Sequence, residues 1–141
     1  MKKQPQKPLS HAFDLLADRA TNSIAFHRAV LDSSALVRVR YVLTTTPALT
    51  VSRIAFGFEP VDLAADQDPA DPNVFRTGKR KFDEVLCIDN KLMVEVEADG
   101  ADGNGWSLAV FVNNKPLPDN PIELTVNDNG NANHADLHQL A

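Results

Sequence analysis

Between Phe82 and Val112 apolar and polar side chains alternate with a period of two, and a chain that does this is committed to half-buried antiparallel strands. Residues 82–88 and 92–96 read as two strands joined across Asp89-Asn90-Lys91. After a glycine-rich loop a third strand follows, Trp106 to Val112, with Trp106, Leu108, Val110 and Val112 on its inner side. The register of the first two strands depends on the turn. A two-residue turn at Asp89-Asn90 sets Glu84 opposite Glu95, a like-charge pair that costs stability. A three-residue loop (Asp89-Asn90-Lys91) puts Phe82, Leu86, Ile88, Leu92, Val94 and Val96 on one face, at the expense of Lys91 in a left-handed conformation. A slip of one residue inverts the buried set, so the second arrangement is the expectation.

The period is different upstream. Residues 1–9 are Lys, Gln and Pro with almost nothing to bury, a flexible N-terminal arm. From Ser10, which can cap a helix, to about Leu31, apolar residues recur at spacings of three and four, as in an amphipathic helix. Leu15, Phe26 and Val30 widen its apolar stripe, so Phe13, Leu16, Ile24, Phe26 and Val30 are candidates for a subunit interface as well as for packing on the chain's own sheet. From Ala35 the alternation returns: Val37, Val39, Tyr41 and Leu43 face inward, against Arg38, Arg40 and Val42. In the next strand the inward parity shifts between Val51 and Ile54, which a β-bulge around Ser52-Arg53 would produce. Gly57, between Phe56 and Phe58, leaves room for a bend or a close neighbour.

Pro60 to Asn73 is a long loop rich in Asp and Pro, after which Val74 and Phe75 can pair briefly, and such loops are functional or disordered. The chain then passes a proline-punctuated turn (113–121), a strand over 122–126 and a polar segment, where a short helical turn through Leu137 and Leu140 is expected to close it. The resulting expectation is a mainly β protein. An N-terminal amphipathic helix precedes an antiparallel sandwich-like sheet of six to seven strands; the alternative is an α+β fold with the helix packed on one curved antiparallel sheet. Residues 1–9 form the arm, 10–127 a single globular domain and 128–141 a polar C-terminal tail.

Composition narrows the function classes. A net charge of −5 argues against nucleic acid, which needs clustered Lys and Arg. No stretch reaches the roughly 18 apolar residues of a membrane helix. Lys2 and Lys3 are followed by Gln4-Pro5-Gln6-Lys7-Pro8 where a secretory signal would turn apolar. The single cysteine, Cys87, excludes an internal disulfide framework and fits a reducing compartment, so the expected location is the cytoplasm.

Candidate sites are few. Calcium takes six to eight oxygens, and Asp99, Asp102 and Asn104, or Asp128, Asn129 and Asn131, bring such oxygens around glycines. Neither group has the spacing or closing glutamate of a helix-loop-helix calcium loop, and tight turns select the same residues. With Trp106 as a stacking platform, Asp99, Asp102 and Asn104 could also hold a sugar. His134 and His138, four apart, have metal-ligand spacing on a helix, but Ala135 stands where a zinc protease has its glutamate. In a polar tail they read as a solvated pair. Cys87, between Leu86 and Ile88, reads as a small buried apolar residue rather than a nucleophile. There is no catalytic motif. The first expectation is a non-enzymatic binding or assembly module that acts through protein–protein contacts and self-associates as a homo-oligomer. A lectin-like carbohydrate- or calcium-binding sandwich using the Asp99–Trp106 loop is the alternative. A small enzyme with a helix–sheet pocket lined by His27, Tyr41 and Phe56 is a third.

Overall fold

The computed structural model describes residues 34–78 and 82–141. The N-terminal arm, the helix expected from Ser10 and its interface candidates Phe13, Leu16, Ile24, Phe26 and Val30 lie outside the described residues. Within them the protein is mainly β, with one antiparallel sheet. Its strands are β1 (Ser34–Thr45), β2 (Leu49–Phe56), β3 (Glu59–Pro60), β4 (Gln67–Asp68), β5 (Asp71–Arg76), β6 (Phe82–Ile88), β7 (Lys91–Gly100), β8 (Gly105–Val112), β9 (Lys115–Pro116), β10 (Ile122–Thr125) and β11 (His134–Gln139). The helix among the described residues is α1 (Leu63–Asp66), a single turn capped by the Asp62 carboxylate, which accepts from the Ala65 amide at 3.1 Å.

The main path through the sheet runs β10-β8-β1-β6-β7-β2-β3, with β11 on β7, β5 on β1, β4 on β5 and β9 on β8. A single ladder pair, Ile88–Lys91, carries the sheet from β6 to β7. On either side of this corner the inward rows meet in one core. Val37, Val39, Tyr41 and Leu43 of β1 and Trp106, Leu108, Val110 and Val112 of β8 join Ile54 and Phe56 of β2 and Leu92, Val94, Val96 and Ala98 of β7. These rows fall at every second residue because successive Cβ atoms point to opposite faces of a strand. Burying such Val and Leu side chains stabilises by about 1.5–3 kcal/mol each, which is why the alternation decides the fold.

Several local expectations hold. The ladder between β2 and β7 shifts register between Val51 and Arg53, placing the bulge at Ser52. Gly57 (φ +58°) and Phe58 (φ +69°) form a two-residue turn into β3. A Cβ on Gly57 would stand 2.6 Å from the Leu86 carbonyl oxygen, so β6 is its close neighbour. The long loop is ordered by a tie to β1: the Tyr41 hydroxyl donates to Asp66 Oδ2 at 2.7 Å, and the Gly78 amide donates to Asp66 Oδ1 at 3.2 Å.

Two expectations fail. The hairpin takes the two-residue turn, with Asp89 (φ +55°) and Asn90 (φ +58°) both left-handed and Ile88 opposite Lys91. The Glu84–Glu95 clash that argued against it never forms, because the β6–β7 ladder ends after that pair. Glu84 is exposed on β6, whereas Glu95 lies 3.3 Å from Arg53 on β2. β6 pairs instead with β1, where Val37 faces Val85 and Ala35 faces Cys87. Residues directly opposite share a face, so Val85 and Cys87 join the main core cluster, while Leu86 of the expected row is also buried, at 3% exposure, outside that cluster. The end of the chain is also extended rather than helical, with β11 running antiparallel along β7 from His134–Val96 to Gln139–Lys91.

Candidate functional site

The constellation richest in chemistry lies on β11. In an extended strand residues four apart share a face, so His134 and His138 stand to either side of Asp136, opposite the inward residues Val96 and Leu92 of β7, and their rings lean together. Their Nε2 atoms face each other at 2.8 Å, with ring centroids 5.1 Å apart. His138 is 6% exposed and His134 half-buried. Behind His138, Asp119 Oδ2 lies 2.8 Å from Nδ1. A carboxylate at that distance accepts, so His138 carries its proton on Nδ1 and turns its Nε2 lone pair toward His134. His134 Nε2 then donates to it.

Asp119 reaches this place because the loop carrying it is anchored on both sides. Leu117 is buried in the core and its amide donates to the Val110 carbonyl at 3.0 Å. Asn120 imitates a strand partner: its Oδ1 accepts from the Val110 amide at 3.0 Å and its Nδ2 donates to the Val110 carbonyl at 2.8 Å. The carboxylate of Asp119 remains 58% exposed at its outer end, so the cluster opens to solvent there. Trp106 closes the other end, its ring edge-on to His134 with centroids 6.2 Å apart and its Nε1–H donating to the Ala132 carbonyl at 2.9 Å. Burial holds the His134 imidazole below its ordinary protonation range, and the neighbouring His138 acts in the same direction.

The residues proposed from the sequence for sugar or calcium do not converge. Trp106 is 4% exposed, and its inward ring offers no free face for stacking. Asp99 is exposed on the outer side of β7, its backbone bridged to Asn131, and Asp102 is exposed at the loop tip. Asn104 is engaged in the fold: Oδ1 accepts from the Thr46 hydroxyl at 2.8 Å and Nδ2 donates to the Ala101 carbonyl at 2.9 Å. Around 127–131 the Asn127 side chain accepts from the Asn129 amide at 2.9 Å and donates to Asn131 Oδ1 at 3.1 Å, which is turn chemistry. Among the described residues no three His, Cys, Asp or Glu side chains form a metal-holding group.

Of the residues expected to line a helix–sheet pocket, Tyr41 and Phe56 pack on each other with ring centroids 5.3 Å apart inside the core, and His27 lies outside the described residues. Cys87 is buried in β6 as expected, and burial pushes its thiol above the ordinary value. Sequence reasoning missed Asp119, which sits 19 residues from His138 and has no motif to announce it. The four-residue spacing was the available signal, but it was read on a helix instead of a strand.

Among the described residues no helix is long and apolar enough to cross a membrane. Comparison with known protein families, with characterised proteins and with solved structures finds no match, so the site has to be read from its own chemistry.

Proposed function

We propose that the protein is a non-enzymatic binding and assembly module that works through protein–protein contacts and self-associates along β11, on a sandwich-like sheet whose two inward faces share one core. The observation that carries this reading is the outer edge of β11. Among the described residues this strand pairs only with β7. The Leu140 amide donates to the Asn90 carbonyl at 2.9 Å, which puts the even-numbered residues in the hydrogen-bonded pairs with β7. The backbone groups of Ala135, Leu137 and Gln139 therefore point away from the sheet. Leu137 is 54% exposed, one of two exposed large apolar side chains among the described residues. An open strand edge with an exposed leucine is a template for strand addition.

The other ends are less suited to it. β3 has two residues and ends in Pro60, and β10 has four and follows Pro121. A two-fold pairing of β11 with a second copy sets Leu137 opposite itself and Ala135 opposite Gln139, with no like charges among the outward-bonding residues. Asp136 guards the edge, because its Oδ1 accepts from the Leu137 amide at 2.8 Å and has to release it when a partner strand arrives. A reducing, cytoplasmic setting fits the lone buried thiol and is part of the proposal.

Native mass spectrometry and light scattering of the full chain test it. The expected result is a dimer that Leu137→Lys converts to monomer and Asp136→Ala tightens. A wild-type monomer at high concentration, or a dimer indifferent to both substitutions, overturns the assignment of β11 as the contact.

A further inference from the structure

We infer that His134 and His138 form a binding site for a divalent late transition metal ion, of the Zn²⁺ or Cu²⁺ type, with both Nε2 atoms as ligands and water in the remaining positions. The inference is independent of the self-association reading. Two imidazole nitrogens that meet at 2.8 Å from same-face positions on one strand, to either side of Asp136, are a preformed pair of borderline ligands, which suit zinc, copper and nickel rather than calcium or magnesium. Their separation of 2.8 Å is that of a shared proton. Tetrahedral zinc with Zn–N bonds of about 2.0–2.1 Å needs the two nitrogens about 3.4 Å apart, so the rings open by roughly half an ångström.

The second observation is Asp119. A carboxylate on the far nitrogen of an imidazole is the arrangement that fixes the tautomer and raises the basicity of a metal-binding histidine. Here it leaves Nε2 of His138 unprotonated and directed at His134. Only one proton stands between the two rings and a metal: that on His134 Nε2, which moves to Nδ1 of the same ring without leaving the protein. The partly exposed ring of His134, on the Nε2 side of His138, gives the ion an entry path and its water ligands.

The probe is built in. Trp106, the chain's single tryptophan, has its ring 6.2 Å from His134, close enough for bound Cu²⁺ to quench its emission. The experiment titrates untagged, metal-free full-length protein with Cu²⁺, and then with Zn²⁺ as a non-quenching competitor. Saturable one-to-one quenching, reversed by Zn²⁺, is expected. His134→Gln and His138→Gln should each lower the affinity at least tenfold, and Asp119→Asn about tenfold or more. The double substitution His11→Gln/His27→Gln should leave the titration unchanged. Electron paramagnetic resonance of the wild-type copper complex should show two imidazole nitrogens, a readout that stands even if His138→Gln does not fold. Absence of saturable quenching, quenching that survives in His134→Gln with the fold intact, or a spectrum without two imidazoles would each overturn the site.

Discussion

Tyr41 places a hydroxyl among apolar side chains, and the carboxylate that receives its hydrogen bond also decides its acid–base behaviour. Burial first, and then Asp66 as acceptor and negative neighbour, push the phenol far above its ordinary value. An acid whose folded value is raised stabilises the fold fully below its unfolded value, near 10, and that contribution is lost as pH rises through and beyond it. Because Tyr41 is the only tyrosine, phenolate absorbance should stay flat through the alkaline range and rise together with the loss of circular dichroism. Tyr41→Phe should remove this link between phenolate and unfolding and lower stability by about 1–2 kcal/mol in urea titrations, since Asp66 loses a partner. Legibility at this scale was uneven. The inward position of Tyr41 follows from alternation alone, but its bond to Asp66 depends on the path of a loop that periodicity does not describe. The same applies to the histidine pair: the spacing was visible, and the carboxylate behind it was brought in by Leu117 and Asn120, whose anchoring role has no local signature.

The turns are where an element's sequence has most control over its partner. Among the described residues three hairpins use two consecutive left-handed residues, Gly57-Phe58, Asp89-Asn90 and Asn113-Asn114. Gly57→Ala should destabilise by more than about 1 kcal/mol, because the added carbon meets both a strained φ and the backbone of β6. Asn114→Gly should raise the thermal midpoint slightly, worth at most about 0.5 kcal/mol, since Asn-Gly is the preferred pair for this turn. Calorimetry of the two variants side by side checks the opposite signs. Among the strands, β1, β7 and β8 were readable because each is long and buries every second residue, and the β2 bulge because a parity change has few other causes. β6 was inverted. Its face was argued from an assumed ladder with β7, whereas its partner is β1, 48 or more positions upstream in the register pairs Val37–Val85 and Leu36–Leu86.

At the scale of the molecule, β1 is the strand on which distant parts of the chain meet. It pairs with β5, β6 and β8, the last aligned from Val39–Val112 to Thr45–Trp106. Closing loops of that length precedes any gain from the contacts, so the protein should fold in milliseconds to seconds, as β-rich topologies do. Leu43→Ala, at a fully buried position bounded by β5 and β8, should cost about 2–5 kcal/mol in equilibrium denaturation. Stopped-flow refolding would divide that loss between the two rate constants and show whether β1 is already docked at the barrier. Cys87 gives the same architecture a clock. The lone thiol is sealed in β6, the strand that ties the corner of the sheet, so an alkylating reagent can find it only in molecules that have breathed open there. The slow mass gain of native protein in such a reagent therefore counts the openings of that corner, one adduct for each molecule in which the seam has come apart.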